Sequence, residues 1–373
     1  MKRSPDSTPV TPRGHHVPAA PGYTRAALTA KGMFGVVLAA VLVSLPYTND
    51  VFRVEQFTTV MALAVAAMGL NLLTGFNGQI SIGHGAFFGI GAYTTAILVQ
   101  DHGWSHFLTL PVAIALTFVV GLLVGLPALR IRGLYLALVT LALATLFPQL
   151  VSKFPDLTGG TTGIVVTDAM TSPDTGALAD DQYRFFVVLA ITVVAFVLVR
   201  NLVNSRIGRS LVAIRDNETA AEVLGVNLAA SKVVTFGVSA ALAGLGGSLS
   251  VMGRAVPVVS PNVYNVGLSI ELLVAVVVGG VATIFGPAIG ALVIEFLPEF
   301  LPDGTPEQKQ LTPLIFGASL IVLMMVAPGG ILGLGRQVWA AVQRRIGDRG
   351  GGNPAAKENP LASDPAAAAA GGG

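Results

Sequence analysis

No cysteine occurs in the chain, which removes disulfides, thiolate metal sites and thiol nucleophiles. Charge is scarce too. Asp, Glu, Lys and Arg together supply 11% of 373 residues, too few to cover the surface of a soluble domain. No G-x-x-x-x-G-K-[ST] stretch occurs, so a nucleotide cannot be cradled in a P-loop, and any ATP the protein depends on is bound by another subunit. A G-x-S-x-G elbow with Ser/His/Asp partners is missing, as are paired carboxylates in a plausible cleft and His or carboxylates at ligand spacing around His84. No catalytic residue, cofactor site or metal site can be nominated.

What the chain does have is apolar length. Hydrophobic residues make up 53% of it, and the mean hydropathy is +0.73. Continuous runs such as FFVVLAITVVAFVLV, from Phe185 to Val199, suit helices across a hydrocarbon core that needs about 20 residues each. A β-barrel would alternate in polarity instead. The expectation is an all-α, polytopic membrane bundle with Gly-broken segments. Candidate spans fall near 33–48, 56–74, 81–99, 107–129, 133–151, 184–203, 233–252, 267–282, 285–301 and 312–332. The pair 267–282 and 285–301 is short, so the count stands at about eight to ten crossings, with re-entrant segments as the alternative.

The segments flanking this domain (32–335) are compositionally disordered: a Pro/Ser/Thr-rich basic arm, 1–31, and a tail, 336–373, that dissolves into glycine and alanine. Placing both inside leaves only Arg53, Lys153, Arg184, Arg254 and Lys309 on the outside, as the positive-inside rule favours. The same topology puts a long loop, 152–183 with LTGGTTG, on the outer face. A loop of that length is either a solvated connection or a docking surface for an extracytoplasmic partner.

Two Gly-rich breaks, TGFNGQISIGHGAFFGIGAY (Thr74 to Tyr93) and VVGGVATIFGPAIGA (Val277 to Ala291), interrupt apolar runs. Broken helices free backbone groups that lipid cannot satisfy, so such breaks are tolerated inside protein or beside a water-filled cavity. They make Asn71, Asn77, Gln79, Ser81, His84 and Thr283 candidates for a translocation path. Glu271, an ionisable group within an apolar run, is another. It could meet a substrate ammonium, Arg254 or a backbone amide, whereas Glu295, near Pro298, could reach the outer interface. For the individual glycines of Gly85-x-x-x-Gly89, Gly121-x-x-x-Gly125 and Gly286-x-x-x-Gly290, close helix packing is the leading expectation. For His84 it is packing or gating.

The remaining anomaly is 204–232, NSRIGRSLVAIRDNETAAEVLGVNLAASK, a charged interlude between apolar segments. Its pattern predicts two short helices, Arg209 to Arg215 and Glu218 to Leu224, hinged at Asp216-Asn217 and stopped at Gly225, with Ala220, Ala221 and Leu224 on a small apolar face. Neither helix is stable alone at that length, so each must lie on its own membrane domain or on a partner.

Several blocks together resemble the permease subunits of branched-chain amino acid ABC importers, the M-type more than the H-type: LNLLTGFNGQISIGHGAFFGIGAY, RIRGLYLALVTLALATL, LTGGTTGI, GRSLVAIRDNETAAEVLGVNLAASKVVTFGVSAALAGLGGSL and ELLVAVVVGGVATIFGPAIGA. The resemblance implies a type II importer membrane domain in the bacterial inner membrane. It implies a sister permease, two ATPase subunits carrying ATP and Mg, and a solute-binding protein outside, and no nucleic acid. It also implies that Arg215, Asp216, Asn217, Glu218, Ala220, Ala221 and Gly225 form the element that couples to the ATPase. The same architecture serves urea and short-amide permeases. An ion-coupled secondary transporter and a non-transporting scaffold are the readings from other classes.

Overall fold

The computed structural model describes residues 37, 40–127, 134–173, 178–300, 317–318, 321, 325 and 330–333. The arm 1–31, the tail 336–373, Arg130, Arg132, the start of the first candidate span and most of the last lie outside these. Residues 40–48 are helical within a first compact unit that ends at Thr48; the second unit begins at Asn49.

That second unit is helical, as expected. Helix α1 (Val51–Asn71) continues into a π-turn at Leu72–Phe76. After it come α2 (His84–Gln100), α3 (His106–Gly125), α4 (Leu134–Ser152) and the single turn α5 (Pro155–Thr158). Next are α6 (Asp180–Asn204), the interlude helices α7 (Arg206–Asp216) and α8 (Glu218–Val223), and α9 (Leu228–Met252). A hairpin of α10 (Val266–Gly279) and α11 (Gly286–Phe296) follows, continued by a single 3-10 turn at Leu297–Phe300. Among the described residues, five helices are long and apolar enough to cross a membrane: α1 with its π-turn, α3, α4, α6 and α9. The protein is therefore a multi-pass membrane protein.

Amphipathicity does not sort these helices as it would in water. α1 and α2 are buried on nearly every side, whereas α3, α4 and α6 keep large apolar groups exposed, among them Leu123, Leu146 and Leu198, as lipid-facing helices do. At the centre α9 packs against α1, α2 and α3 through its glycines. A Cβ on Gly91 would lie 2.0 Å from the Gly244 carbonyl oxygen, one on Gly247 1.9 Å from that of Phe88, and one on Gly246 2.5 Å from that of Ala62. Without a hydrophobic drive between helices in lipid, such approaches supply the van der Waals contact that holds a bundle together. The Gly-x-x-x-Gly pairs behave alike. Gly121 meets Ala240, Gly125 meets Phe236, and Gly290 lies against the Ala275 backbone. Gly91→Val is accordingly expected to lower the thermal midpoint of the purified protein by several degrees, since overpacking a close contact costs about 1–3 kcal/mol. Leu198→Ala, on a lipid-facing surface, is expected to leave it nearly unchanged in the same melt.

The α10–α11 hairpin accounts for the two short spans. Fourteen residues of α10 rise about 21 Å at ~1.5 Å per residue, short of a ~30 Å core. Its register is antiparallel: Gly279 faces Gly286 and Ala275 faces Gly290. The free ends of both helices lie opposite the interlude, where Phe296 packs on Phe57 near the start of α1. At that same face the described part of the long loop, 152–173 and 178–183, is folded. Its strand β1 (Ile164–Val165) pairs with β2 (Val258–Val259), Thr167 N donates to Gln100 Oε1 at 2.9 Å, and Arg184 Nη1 donates to the Met170 carbonyl at 3.2 Å. The glycines of LTGGTTG make its tight turn, with positive φ at Gly159, Gly160 and Gly163.

Candidate functional site

The two breaks, far apart in sequence, touch in space. The first is the π-turn Leu72–Phe76 followed by irregular chain to Gly83; the second is 280–285 between α10 and α11. The side chain of Asn71, 1% exposed, joins them: its Oδ1 accepts from Ala282 N at 2.9 Å and its Nδ2 donates to the Thr283 carbonyl at 2.6 Å. One amide thus satisfies a donor and an acceptor that the broken hairpin leaves without helical partners. Ala282 sits at φ +57°, a left-handed conformation that non-glycine residues take only where surroundings hold them. Gly75 has no room for a side chain, since a Cβ there would come within 2.3 Å of Asn71 Oδ1 and 2.6 Å of Ala282 N.

Thr283 also works locally. Its hydroxyl donates to the Gly280 carbonyl at 2.6 Å and accepts from Gly286 N at 3.1 Å, closing the start of α11. Ser81 and His84 form a second buried group. Ser239 donates its one hydroxyl proton to the Gly69 carbonyl at 2.5 Å, so it accepts from His84 Nε2 at 2.7 Å, and His84 Nδ1 is left to accept from Ser81 Oγ at 3.0 Å. Both ring nitrogens of a neutral imidazole are then satisfied within the bundle. Asn77 and Gln79 differ. They are buried, yet neither polar atom of the Asn77 amide nor Gln79 Oε1 has a partner among the described residues. Of the seven residues proposed for a path, Asn71 pairs with Thr283 and Ser81 with His84, Asn77 and Gln79 line the break, and Glu271 stands apart at the opposite face.

The interlude lies directly against this junction. α7 opens with Ser205 Oγ accepting from Ile207 N and Gly208 N. α8 is capped by Asn217, whose Oδ1 accepts from Ala220 N at 3.0 Å, and is stopped by Gly225 at φ +86°, both as the sequence predicts. Glu218 is held by Lys232 Nζ at 2.7 Å. Leu211 packs on Leu72 and Phe76 of the π-turn. Arg215 completes the contact: its Nη1 donates to the Gly75 carbonyl at 2.9 Å while Nε and Nη2 hold Asp216 Oδ1 at 3.1 and 3.0 Å, and its stem lies on Gly78. No feature of the sequence announces this link, because a backbone carbonyl acceptor leaves no trace in residue type.

One expectation needs correcting. Ala220, Ala221 and Leu224 do not form one apolar face: Ala221 is 2% exposed and packs inward, while Ala220 and Leu224 are exposed. The outward tip consists of Ala220, Val223 and Leu224, the last two 83% and 81% exposed. In so short a helix, contact with the layer beneath decides which apolar residue turns in. Glu271, likewise, meets neither Arg254 nor a backbone amide among the described residues.

Comparison with known proteins gives a consistent picture. The family model described as branched-chain amino acid transport system / permease component matches residues 53–324. The high-affinity branched-chain amino acid transport system permease protein LivM of Escherichia coli (strain K12) is 28% identical over 326 residues, 82% of this chain and 75% of that protein. LivH of the same strain is 24% identical, covering 72% and 91%. The fructose import permease protein FruG of Bifidobacterium longum is also 24% identical, covering 79% and 86%. No solved structure matches the chain significantly.

Proposed function

The chain belongs to the branched-chain amino acid transport permease family, and we propose that it forms, with a sister permease, the path by which an ABC importer takes up aliphatic amino acids. Hydrolysis of ATP with Mg takes place on two separate ATPase subunits, and a solute-binding protein delivers substrate at the opposite face, where the folded loop 152–183 receives it. The interlude then lies in the cytoplasm together with both termini.

The observation that carries this reading is the tip of the interlude. Val223 and Leu224 stand almost fully exposed beside Ala220, on a short helix capped at both ends, directly after α7, whose Leu211 and Arg215 touch the breaks. An aqueous loop exposes such a pair to a partner more readily than to water. Small residues at Ala220 and Gly225 leave room for a protein surface to close over them. Transport follows if nucleotide-loaded ATPase binds one state of the permease better than the other, since only differential affinity shifts a conformational equilibrium. The fructose permease among the relatives makes the solute a matter of measurement. The decisive assay is uptake of labelled leucine, valine and isoleucine into proteoliposomes holding the complete complex, with urea and fructose as competitors for the same route. ATP-dependent leucine uptake is the expected result; ion-driven uptake without a co-purifying ATPase would sink it. Within that assay Ala220→Arg and Gly225→Trp are expected to weaken ATPase association about tenfold, scored by co-purification, without changing membrane insertion. Undiminished association in both would remove the interlude from the docking surface.

A further inference from the structure

A cavity of about 160 Å³ opens at the face opposite the interlude, where α9 ends beside α1 and the α10–α11 hairpin. Leu63, Phe88, Val251 and Leu268 line it together with Arg254, Glu271 and Glu295, so apolar surface and charge of both signs meet in one recess. A second depression of about 180 Å³ adjoins it, sharing Thr59, Arg254 and Glu295 and adding Glu55.

These charges are only partly engaged among the described residues. Arg254 and Glu295 attract each other at a distance, but the hydrogen bond of Arg254 goes to Thr59 Oγ1, at a long 3.5 Å, and neither Glu271 nor Glu295 has a hydrogen bond or ion pair. By contrast Glu55, which lines the adjoining depression, is engaged, accepting from Ala255 N at 2.9 Å. An ionisable group within an apolar membrane helix costs about 2.5–3.5 kcal/mol on insertion scales and persists where it has a partner or a wet path to serve. Here one cation and two carboxylates flank a greasy recess, and the ligand they fit carries one negative group, one positive group and a short hydrocarbon chain. The size is suitable, since an apolar cavity of roughly 150 Å³ accommodates benzene.

We propose that this cavity is a binding station for an aliphatic amino-acid zwitterion, its carboxylate on Arg254, its ammonium between Glu271 and Glu295, and its side chain against Leu63, Val251 and Leu268. The assignment rests on the amino-acid reading given above and supplies the site at which solute is recognised within the permease itself. Charge-assisted contacts at both ends of the ligand fix its orientation, and the apolar wall grades its size.

The test uses the complete complex in proteoliposomes, with binding protein in excess. Arg254→Gln and Glu271→Gln are each expected to cut leucine uptake at least tenfold while ATPase and binding protein remain associated. Leu268→Phe, which narrows the recess, is expected to raise the valine-to-leucine uptake ratio severalfold, a change that general structural damage does not produce. Leucine uptake unchanged in both charge variants overturns the site while leaving the amino-acid reading intact. Loss of the sister permease on Glu271→Gln, with Arg254→Gln transporting normally, overturns it in favour of a subunit contact. A wild-type complex that carries urea or fructose and no leucine removes the amino-acid reading beneath it.

Discussion

Replacing Asn71 by leucine is expected to reduce uptake to background, a loss of a hundredfold or more, in a protein that still inserts and still holds its ATPase. The change keeps the branched shape and the number of side-chain heavy atoms but removes the amide that joins the two breaks. The Ala282 N–H loses its acceptor and the Thr283 carbonyl its donor. Each such bond is worth about 1 kcal/mol net, and an N–H shielded from water and left without an acceptor costs about 1–3 kcal/mol. Because Ala282 sits at positive φ, releasing it lets the 280–285 segment relax to ordinary backbone and draws α11 away from α1. Asn71→Asp separates the two contacts: a carboxylate still accepts from Ala282 N but cannot donate to Thr283, so partial uptake is expected. Initial rates and surface-expressed protein, measured side by side, check both variants. Wild-type rates for Asn71→Leu would mean that the breaks move independently and that their bridge is incidental.

That bridge marks the limit of what could be read from residue order. The breaks themselves were legible, because glycine runs inside apolar stretches force backbone groups to seek partners. The caps of the interlude were legible too, since Asn217 and Gly225 are local signals that act within a few residues. The central position of α9 was not. Its glycines look like those of any membrane helix until Gly244 is seen against Gly91 and Gly247 against Phe88. Nor could the sequence pair Asn71 with Ala282, 211 positions away, because an amide on an apolar helix advertises a need for a partner without naming it. Charge pattern pointed to Glu271 but not to its setting beside Arg254 and Glu295, which α9, α10 and α11 assemble together. Ala221 shows the local counterpart, since helical spacing counts apolar residues without telling which of them meets the layer beneath.

Arg215 is where the interlude reaches the breaks, and Arg215→Ala is expected to separate ATP hydrolysis from transport. Its guanidinium has two engagements: the Gly75 carbonyl, which belongs to the π-turn, and the Asp216 carboxylate, which belongs to its own helix end. On the proposed coupling, a bound ATPase that displaces α7 would pull on the turn that Asn71 ties to the α10–α11 hairpin. Removing the side chain leaves α8, its Asn217 cap and the exposed Val223 and Leu224 in place, so the ATPase still docks. What goes is the pull on Gly75. The expected result is hydrolysis within about twofold of wild type and uptake reduced at least tenfold, so that many more ATP molecules are consumed per solute moved. Arg215→Lys is expected to fall between, because an ammonium can reach one acceptor but cannot reproduce the planar fork that holds the carbonyl and the carboxylate together. Hydrolysis and uptake measured on the same proteoliposomes decide the matter. If both fall in parallel and the ATPase is lost, Arg215 acts in docking, and the force must pass to the breaks through the Leu211, Leu72 and Phe76 contact instead.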